Sequence, residues 1–381
     1  MHRILITGAG GAPATNFVRS LRRTDEKFHL IGVDCDKYYL QRAETDERYL
    51  VPKCGEGEYL PVLNSIVRHT KADLVFAQPD AEIEVLSERR DEVAATLFIP
   101  AAQTVRTCMN KHASYERWRQ HGLKVPETVL INTPEDLQHC FEQFGQRVWI
   151  REIKGAFGKG SLPAEKLEQA KAWLDFHDGW GRFSAAQCLQ PESVTWQSLW
   201  WDGHLVVAQG RRRLFWEFSN RSPSGVTGVT GAGVTVSDPE VDRIAERAIV
   251  AIDPRPHGIF SVDLTYDRQG IPNPTEINIG RFFTTHLFFS VAGLNMPYLY
   301  VKLAMGEKVT WPSPRVNPLP PGLVWIRGMD TEPQLTTVEE IERSVAELAW
   351  WKATASHEHA ARELDCRTNG ADASAAVQQS E

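Results

Sequence analysis

Two textures of apolar and polar positions follow one another along the chain. Up to about Gln103, continuous apolar runs ("RILITGA", "HLIGVD", "ADLVFAQ" and the short "LFIPA") alternate with stretches whose apolar residues recur every three or four positions ("ATNFVRSLRR", "YLPVLNSIVRHT", "AEIEVLSERRDEVAAT"). Strands separated by helices of this length imply parallel pairing. This part is therefore predicted to be a parallel sheet with right-handed crossovers. From Thr107 the texture changes. "MNKHASYERWRQHG" reads as a helix stopped by Gly122, and "TPEDLQHCFEQFG" as one capped by Thr133, opened by Pro134 and closed by Gly145. "QRVWIREIKGAFGKGSL" predicts a strand, a glycine-rich loop and a returning strand, and "EKLEQAKAWLDFH" another helix. "SAAQCLQ", "VTWQSLWWDGHLVVAQGRRRLFWEF" and "GIFSVDLTYDRQGIPNPTEINIG" predict antiparallel strands and hairpins around a helix over "DPEVDRIAERAIVAI", with "DRQG" as a turn. A helix over "MPYLYVKLAMGE" ends this part. The proline-rich "WPSPRVNPLPPG" marks a boundary, "TTVEEIERSVAELAWW" reads as a helix beyond it, and the small polar "ADASAAVQQSE" is expected to be unstructured.

Composition narrows the picture without naming a chemistry. The chain has 381 residues, 42% hydrophobic and 24% charged, enough for a real core and roughly two or three domains. A net charge of −7 supplies no global field for nucleic acid, and the one basic run, Arg211-Arg212-Arg213, is expected to be a polar strand end at a site or surface rather than a nucleic-acid patch. Six scattered cysteines without a CxxC pair fit reduced thiols. No apolar run reaches the roughly 18 residues of a membrane span. The expectation is a cytoplasmic protein with neither a membrane nor a nucleic-acid partner.

The first apolar run opens into "GAGGAPATN". Gly8 and Gly10, with Asp34 after the second strand, outline a dinucleotide fingerprint. Pro13, however, stands where that fingerprint wants its third glycine or an alanine, and no Tyr-x-x-x-Lys pair lies on a helix after the sheet in the first 200 residues. An NAD(P)-dependent reductase or epimerase using the Gly8–Gly11 turn is thus the weaker reading.

Stronger chemistry lies downstream. In "FSVDLTYDRQGIPNPTEINIGR", Asp263 lies on one strand, and Glu276 and Asn278, two apart on the returning strand, point to one face. Two carboxylates and an amide are hard oxygen ligands that suit Mg²⁺ held jointly with phosphates. Arg281, just beyond, is placed to neutralise a phosphate or a developing oxyanion. Alone, these residues read equally well as a surface hairpin with ordinary polar alternation. In "VWIREIKGAFGKGS", Arg151 and Lys154 flank a turn holding Gly155, Gly158, Lys159 and Gly160. Glycines let backbone N–H groups approach phosphate oxygens while cations balance the charge, although such a run standing alone is more often a hairpin turn. It lacks the ending and spacing of a P-loop. Lys111, near a helix start in "CMNKHASYERWRQHGLKVPET", is the third element.

In order and spacing these three stretches together resemble the ATP-grasp superfamily from about residue 107 to 310. "GLNMPYLYVKLAMGE" is similar to the helix after the metal strand in the carbamoyl-phosphate synthetase large-subunit branch, and the first 105 residues are similar to a pre-ATP-grasp domain. The resemblance implies an α/β architecture: a Rossmann-like parallel-sheet pre-ATP-grasp domain (1–106) followed by an α+β ATP-grasp fold. The latter divides into a lid subdomain (107–184) and a C-terminal subdomain with the metal site (185–312), with an extension (313–355) and a tail expected to be disordered (356–381) beyond it. It implies ATP and Mg²⁺, with Mn²⁺ as the alternative ion, and a small carboxylate and an amine as substrates. A homodimer is left open.

Carried over residue by residue, Lys111 and Arg151 would contact ATP phosphates, and Lys154 with the Gly155–Gly160 loop would close over them. Gln187, Cys188 and Leu189 would form the hinge whose backbone meets adenine. Glu276 and Asn278 would hold the metal with Asp263 in support, and Arg281 and Arg151 would be the catalytic cations, Arg281 acting on the transferred phosphoryl group or the acyl phosphate. Two departures stand out. Where the family usually has a glutamate for the ribose, the chain offers Glu192 slightly early and Thr195 in the expected place. "EINIGR" also carries one residue more than the common E-x-N-x-R run. The implied activity is ATP-driven activation of a carboxylate as an acyl phosphate, from which an amine or similar nucleophile displaces phosphate. "RSPSGVTGVTGAGVT" is expected either to order over the acceptor substrate or to be a flexible connector. A non-catalytic nucleotide-binding module is the remaining alternative. The glycine turn is then expected to be architecture, lining the carboxylate's side of the cleft.

Overall fold

The apolar runs at the start of the chain form one parallel sheet. In a computed structural model, residues 1–155, 158, 160–330 and 334–357 are described, with the last helix traced on to Val377. Strands β1 (Arg3–Thr7), β2 (His29–Asp34), β3 (Glu47–Leu50), β4 (Leu74–Phe76) and β5 (Thr96–Leu97) are ordered β3-β2-β1-β4-β5. Alternate residues of β1 serve separate cores. Leu5 packs with Leu60 and Leu63 of the helix Tyr59–Thr70, while Ile4 and Ile6 pack with Phe17 of the helix Ala12–Arg22. Helices thus cover both faces, which is why these strands read as unbroken apolar runs. Strand β3 has no such run, since Leu50 is its one buried residue, and it lies at the sheet edge where one-sided packing suffices.

The glycine turn after β1 is occupied by the protein itself. Gly8 takes φ +56°, and a Cβ there would lie 2.6 Å from Pro79 Cγ; one on Gly10 would lie 1.9 Å from Tyr39 O. Arg42 donates to Gly10 O at 2.8 Å, and Asp34 accepts from the Gly10 N–H at 3.1 Å. The turn and its acid are therefore joined to one another and to the segment carrying Tyr39.

A small antiparallel sheet follows: β6 (Thr128–Ile131), β7 (Val148–Glu152), β8 (Leu162–Ala164) and β9 (Phe183–Gln187), ordered β6-β9-β7-β8. Its core joins Ile131, Val148, Ile150 and Phe183 to Leu137 and Leu174 of the helices Pro134–Phe144 and Leu167–Phe176. The first of these helices begins with a capping box: Thr133 accepts from the Asp136 N–H at 3.2 Å and Asp136 from the Thr133 N–H at 3.0 Å.

The largest sheet holds β10 (Ser193–Trp201), β11 (His204–Trp216), β12 (Thr230–Val236), β13 (Gly258–Tyr266), β14 (Pro272–Ile279) and β15 (Val324–Ile326), ordered β14-β13-β10-β11-β12-β15 and antiparallel throughout. One face presents Val194, Trp196, Val262 and Leu264 to the core that holds Val241, Ala245 and Ile249 of the helix Pro239–Ile252. The opposite face is polar, which is where the site lies. The segment past Pro312 supplies the edge strand β15, and its last helix, Val338–Val377, returns to the parallel sheet, where Trp351 packs edge-on against Tyr49 and His69. Beyond His357, the tail expected to be disordered lies outside the described residues. Among those residues the cysteines that appear are free thiols, and no helix is long and apolar enough to cross a membrane.

Candidate functional site

Antiparallel register places Arg211, Thr195, Asp263 and Glu276 in one row across β11, β10, β13 and β14. Because side chains in paired positions share a face, the row forms a continuous polar strip. The next row repeats the pattern with Gln209, Gln197, Ser261 and Asn278. Asp263 is held at both oxygens: Thr195 Oγ1 donates to Oδ1 at 2.5 Å and Asn278 Nδ2 to Oδ2 at 3.1 Å.

Two cations from other elements converge on Glu276. Arg151, on β7, donates to Glu276 Oε2 at 2.6 Å, and Lys111 Nζ lies 3.7 Å from the same oxygen. Lys111 begins the helix Lys111–Gln120, whose N-cap is the side chain of Asn110, and its own N–H donates to Ile153 O at 2.9 Å. Its ammonium also donates to Gly155 O. Burial alone would push the Glu276 carboxyl up, but Lys111 and Arg151 outweigh it and hold Glu276 well below the usual carboxylate range. Lys111 is lowered, chiefly by burial. Asp263, with less cationic help and Glu276 beside it, is raised, again chiefly by burial.

Arg281 reaches the same strip despite the extra residue before it. Gly280 takes φ +72°, folding the chain so that Arg281 Nη2 donates to Asn278 Oδ1 at 2.8 Å and the guanidinium forks onto Asp80. Only glycine fits this bend: a Cβ there would lie 2.9 Å from Ile83 Cγ2.

A cavity of about 500 Å³ lies between the small sheet and the polar strip. Its wall includes Lys111, Arg151, Asp263, Glu276, Gly155 and Gly158, together with Gln187, Cys188, Leu189, Trp149 and Pro126. Ser224, Gly225 and Val226, from the loop between β11 and β12, also line it; a Cβ on Gly158 would lie 2.4 Å from Val226 O, so that loop and the glycine loop meet. The thiol of Cys188 is raised by burial, which disfavours a thiolate nucleophile.

Other sequence candidates stand elsewhere. Glu192 is exposed and paired with Arg212 at 3.0 Å, outside the cavity lining. Lys154 points to Glu84, 3.9 Å away, and is largely exposed. Gly160 accepts from Trp173 Nε1 at 2.9 Å and borders a separate small pocket as well as Phe183. Lys159 lies outside the described residues. Thr195 is buried within the strip rather than in the cavity wall.

The structure adds residues to which the sequence reading gave no role in the site. Arg211 and Arg213 do not form a basic surface patch. Both face the strip, Arg211 bonded to the hydroxyls of Thr195, Thr230 and Thr285, and Arg213 lying 3.8 Å from Asp263 and stacked on Trp216. Two-residue periodicity within "GRRRL" was the available signal, since it sends Arg211 and Arg213 to one face and Arg212 to the other. Asp80, the partner of Arg281, comes from the parallel-sheet domain and had no local signature.

A parallel-sheet domain followed by a small and a large antiparallel sheet, with a cationic and acidic cavity between these two, constitutes the ATP-grasp fold preceded by a pre-ATP-grasp domain. Residues 4–99 match the family described as PylC-like, N-terminal domain. No curated protein matches the chain. Among solved structures it is similar to carboxyaminoimidazole ribonucleotide synthase from Aspergillus clavatus complexed with ATP, with a TM-score of 0.61, 17% identity, and 83% of this chain and 80% of the other covered. The biotin carboxylase domain dimer of Hydrogenobacter thermophilus 2-oxoglutarate carboxylase, in complex with MgADP, ADP and bicarbonate, matches with a TM-score of 0.62, 14% identity, and 82% and 71% covered. D-alanyl-alanine synthetase A from Vibrio cholerae matches with a TM-score of 0.59, 14% identity, and 80% and 98% covered.

Proposed function

We propose that the protein is an ATP- and Mg²⁺-dependent ligase that activates a small carboxylate as an acyl phosphate for attack by an amine or similar nucleophile. The observation that carries this reading is the convergence of Lys111 and Arg151 on Glu276, with Asp263 in the same wall of a cavity of about 500 Å³ and Asn278 bonded behind it to Asp263. Cations and hard oxygen donors gathered at one place suit phosphoryl transfer, which depends on positioning and charge neutralisation. The similar folds crystallised with ATP or MgADP support the choice of nucleotide.

Glu276, Asp263 and the amide oxygen of Asn278 are a donor set that fits magnesium, and they would hold it. When bound, the ion would neutralise phosphate charge. The chain's own groups do the rest. Gln187–Leu189 would position the base, and Lys111 and Arg151, already balanced against Glu276, would turn to the phosphates. A carboxylate oxygen of the substrate attacks the γ-phosphorus as the bond to ADP breaks, with Arg281 stabilising the charge on the transferred group. The amine nitrogen then attacks the acyl carbon, loses a proton, and inorganic phosphate leaves. The meeting of the Val226 loop with Gly158 would help to exclude water from the acyl phosphate.

The test is release of ADP and phosphate in the presence of Mg·ATP and a panel of amino acids and small carboxylates. Turnover that depends on an added carboxylate supports the ligase; nucleotide binding without it would favour a non-catalytic module. Glu276→Ala is expected to abolish the release while circular dichroism stays that of the parent, and unchanged turnover would sink the metal-site assignment.

A further inference from the structure

Thr195 occupies the position where the resemblance expects a ribose contact, but its hydroxyl is already fully used. A hydroxyl has one hydrogen to donate and two lone pairs to accept with. Thr195 Oγ1 donates to Asp263 Oδ1 at 2.5 Å, and accepts from Arg211 Nη2 at 2.7 Å and, more weakly, from Arg213 Nη2 at 3.5 Å. At 2% exposure it has no open face. The same chain of bonds continues past Asp263, whose other oxygen accepts from Asn278 Nδ2, while Asn278 Oδ1 accepts from Arg281. The arginine at each end forces the direction of every bond between them. Arg211 can only donate, so Thr195 must turn its hydrogen to Asp263; Arg281 can only donate, so Asn278 must turn its amide nitrogen to Asp263.

Arg211 is built for this task. It is 2% exposed, forms no ion pair among the described residues, and lies over the Phe283 ring with its stem in space left by Gly233. Burying a guanidinium without a paired carboxylate is costly, so its bonds to three threonine hydroxyls call for a reason. Polarising the Thr195 hydroxyl toward Asp263 supplies one.

We propose that Thr195, oriented by Arg211, is the positioning residue of the metal site: it fixes the Asp263 carboxylate beside Glu276 and does not bind the ribose. The proposal rests on reading Asp263, Glu276 and Asn278 as a site for a divalent ion with nucleotide. Groups that orient metal ligands typically contribute roughly 10- to 100-fold to metal affinity.

The full chain is tested as wild type, Thr195→Val and Thr195→Ser. Binding of Mn²⁺ in the presence of ADP is followed by electron paramagnetic resonance of the free ion, and ATP is compared with 2′-deoxy-ATP by thermal shift. Loss of Mn²⁺ affinity by roughly 10- to 100-fold in the valine variant, near-parental affinity in the serine variant, and an unaltered preference between the two nucleotides are the expected results. Mn²⁺ affinity unchanged in Thr195→Val overturns the proposal, and so does a valine variant that no longer distinguishes ATP from 2′-deoxy-ATP, which would assign the hydroxyl to the ribose. If wild type itself binds no Mn²⁺ with ADP, the metal-site reading fails and takes this one with it. Should the valine variant not fold, Thr195→Ala serves in the same comparison.

Discussion

Glu276 is part-buried and Glu82 buried, and their surroundings set them apart. Glu276 meets Arg151 and Lys111 and stays ionised. Glu82, 5% exposed, has no cationic partner among the described residues, and burial, with the Asp34 charge adding to it, pushes its carboxyl up to about 7. The folded protein therefore keeps a proton that the unfolded chain releases near its ordinary value of 4.5. Stability from this group is complete below that value and is lost as pH rises toward 7, an effect on the order of 3 kcal/mol. The thermal midpoint is expected to fall between about pH 5 and 7 in wild type and to flatten in Glu82→Gln; parallel profiles would exclude Glu82 as the cause. Arg281 makes a second case at this scale. Arg281→Lys keeps the charge but loses the fork spanning Asp80 and Asn278, so turnover is expected to drop by about 10²-fold with little change in the KM for ATP. Residue types at this scale were legible in part: Arg151, Asp263, Glu276 and Asn278 could be proposed from the chemistry they offer, whereas Lys111 was one lysine among many until the resemblance gave it a role. Their partners were not, because Asp80 and Arg211 reach the site only through folding.

Elements were legible where a local device marks them. Thr133, Pro134 and Gly145 bracket their helix as their backbone chemistry requires, and the unbroken runs of β1, β2 and β4 follow from coverage on both faces. Strand β3 was missed because "ERYL" buries one residue, too few to show a period. The extra residue in "EINIGR" was legible as a departure but not in its consequence, which depends on Gly280 bending against Ile83 in a helix far away in sequence. Gly280→Ala should accordingly cost about 1–3 kcal/mol in urea unfolding and, by re-aiming Arg281, lower turnover as well. A variant of wild-type stability and rate would show that the bend is dispensable.

Across the whole molecule, the segment past Pro312 ties the parts together. Asn317 donates to both oxygens of Asp242 on the helix behind the large sheet and accepts from the Gly210 N–H, and Asp330 accepts from Asn16 in the parallel-sheet domain. Asn317→Ala leaves buried partners unsatisfied, so a loss of about 1–3 kcal/mol in thermal unfolding is expected, larger than for an exposed residue such as Glu339. The glycine turn belongs to this scale too. Gly8 and Gly10 leave room for Pro79 and Tyr39 rather than for a pyrophosphate, so Mg·ATP is expected to raise the thermal midpoint and NAD(P)H to leave it unmoved. A stabilising effect of NAD(P)H alone would reverse that assignment.

The sequence by itself determined the two textures of strand and helix, the glycine punctuation and the stock of cations and oxygen donors, because each depends on neighbours within a few residues. Tertiary structure alone decided which of these meet. Arg211, Thr195, Asp263 and Glu276 share one row only because four strands pair in a particular register, and the cations that hold Glu276 ionised and the burial that pushes Glu82 up both arise only once the sheets and helices close around them.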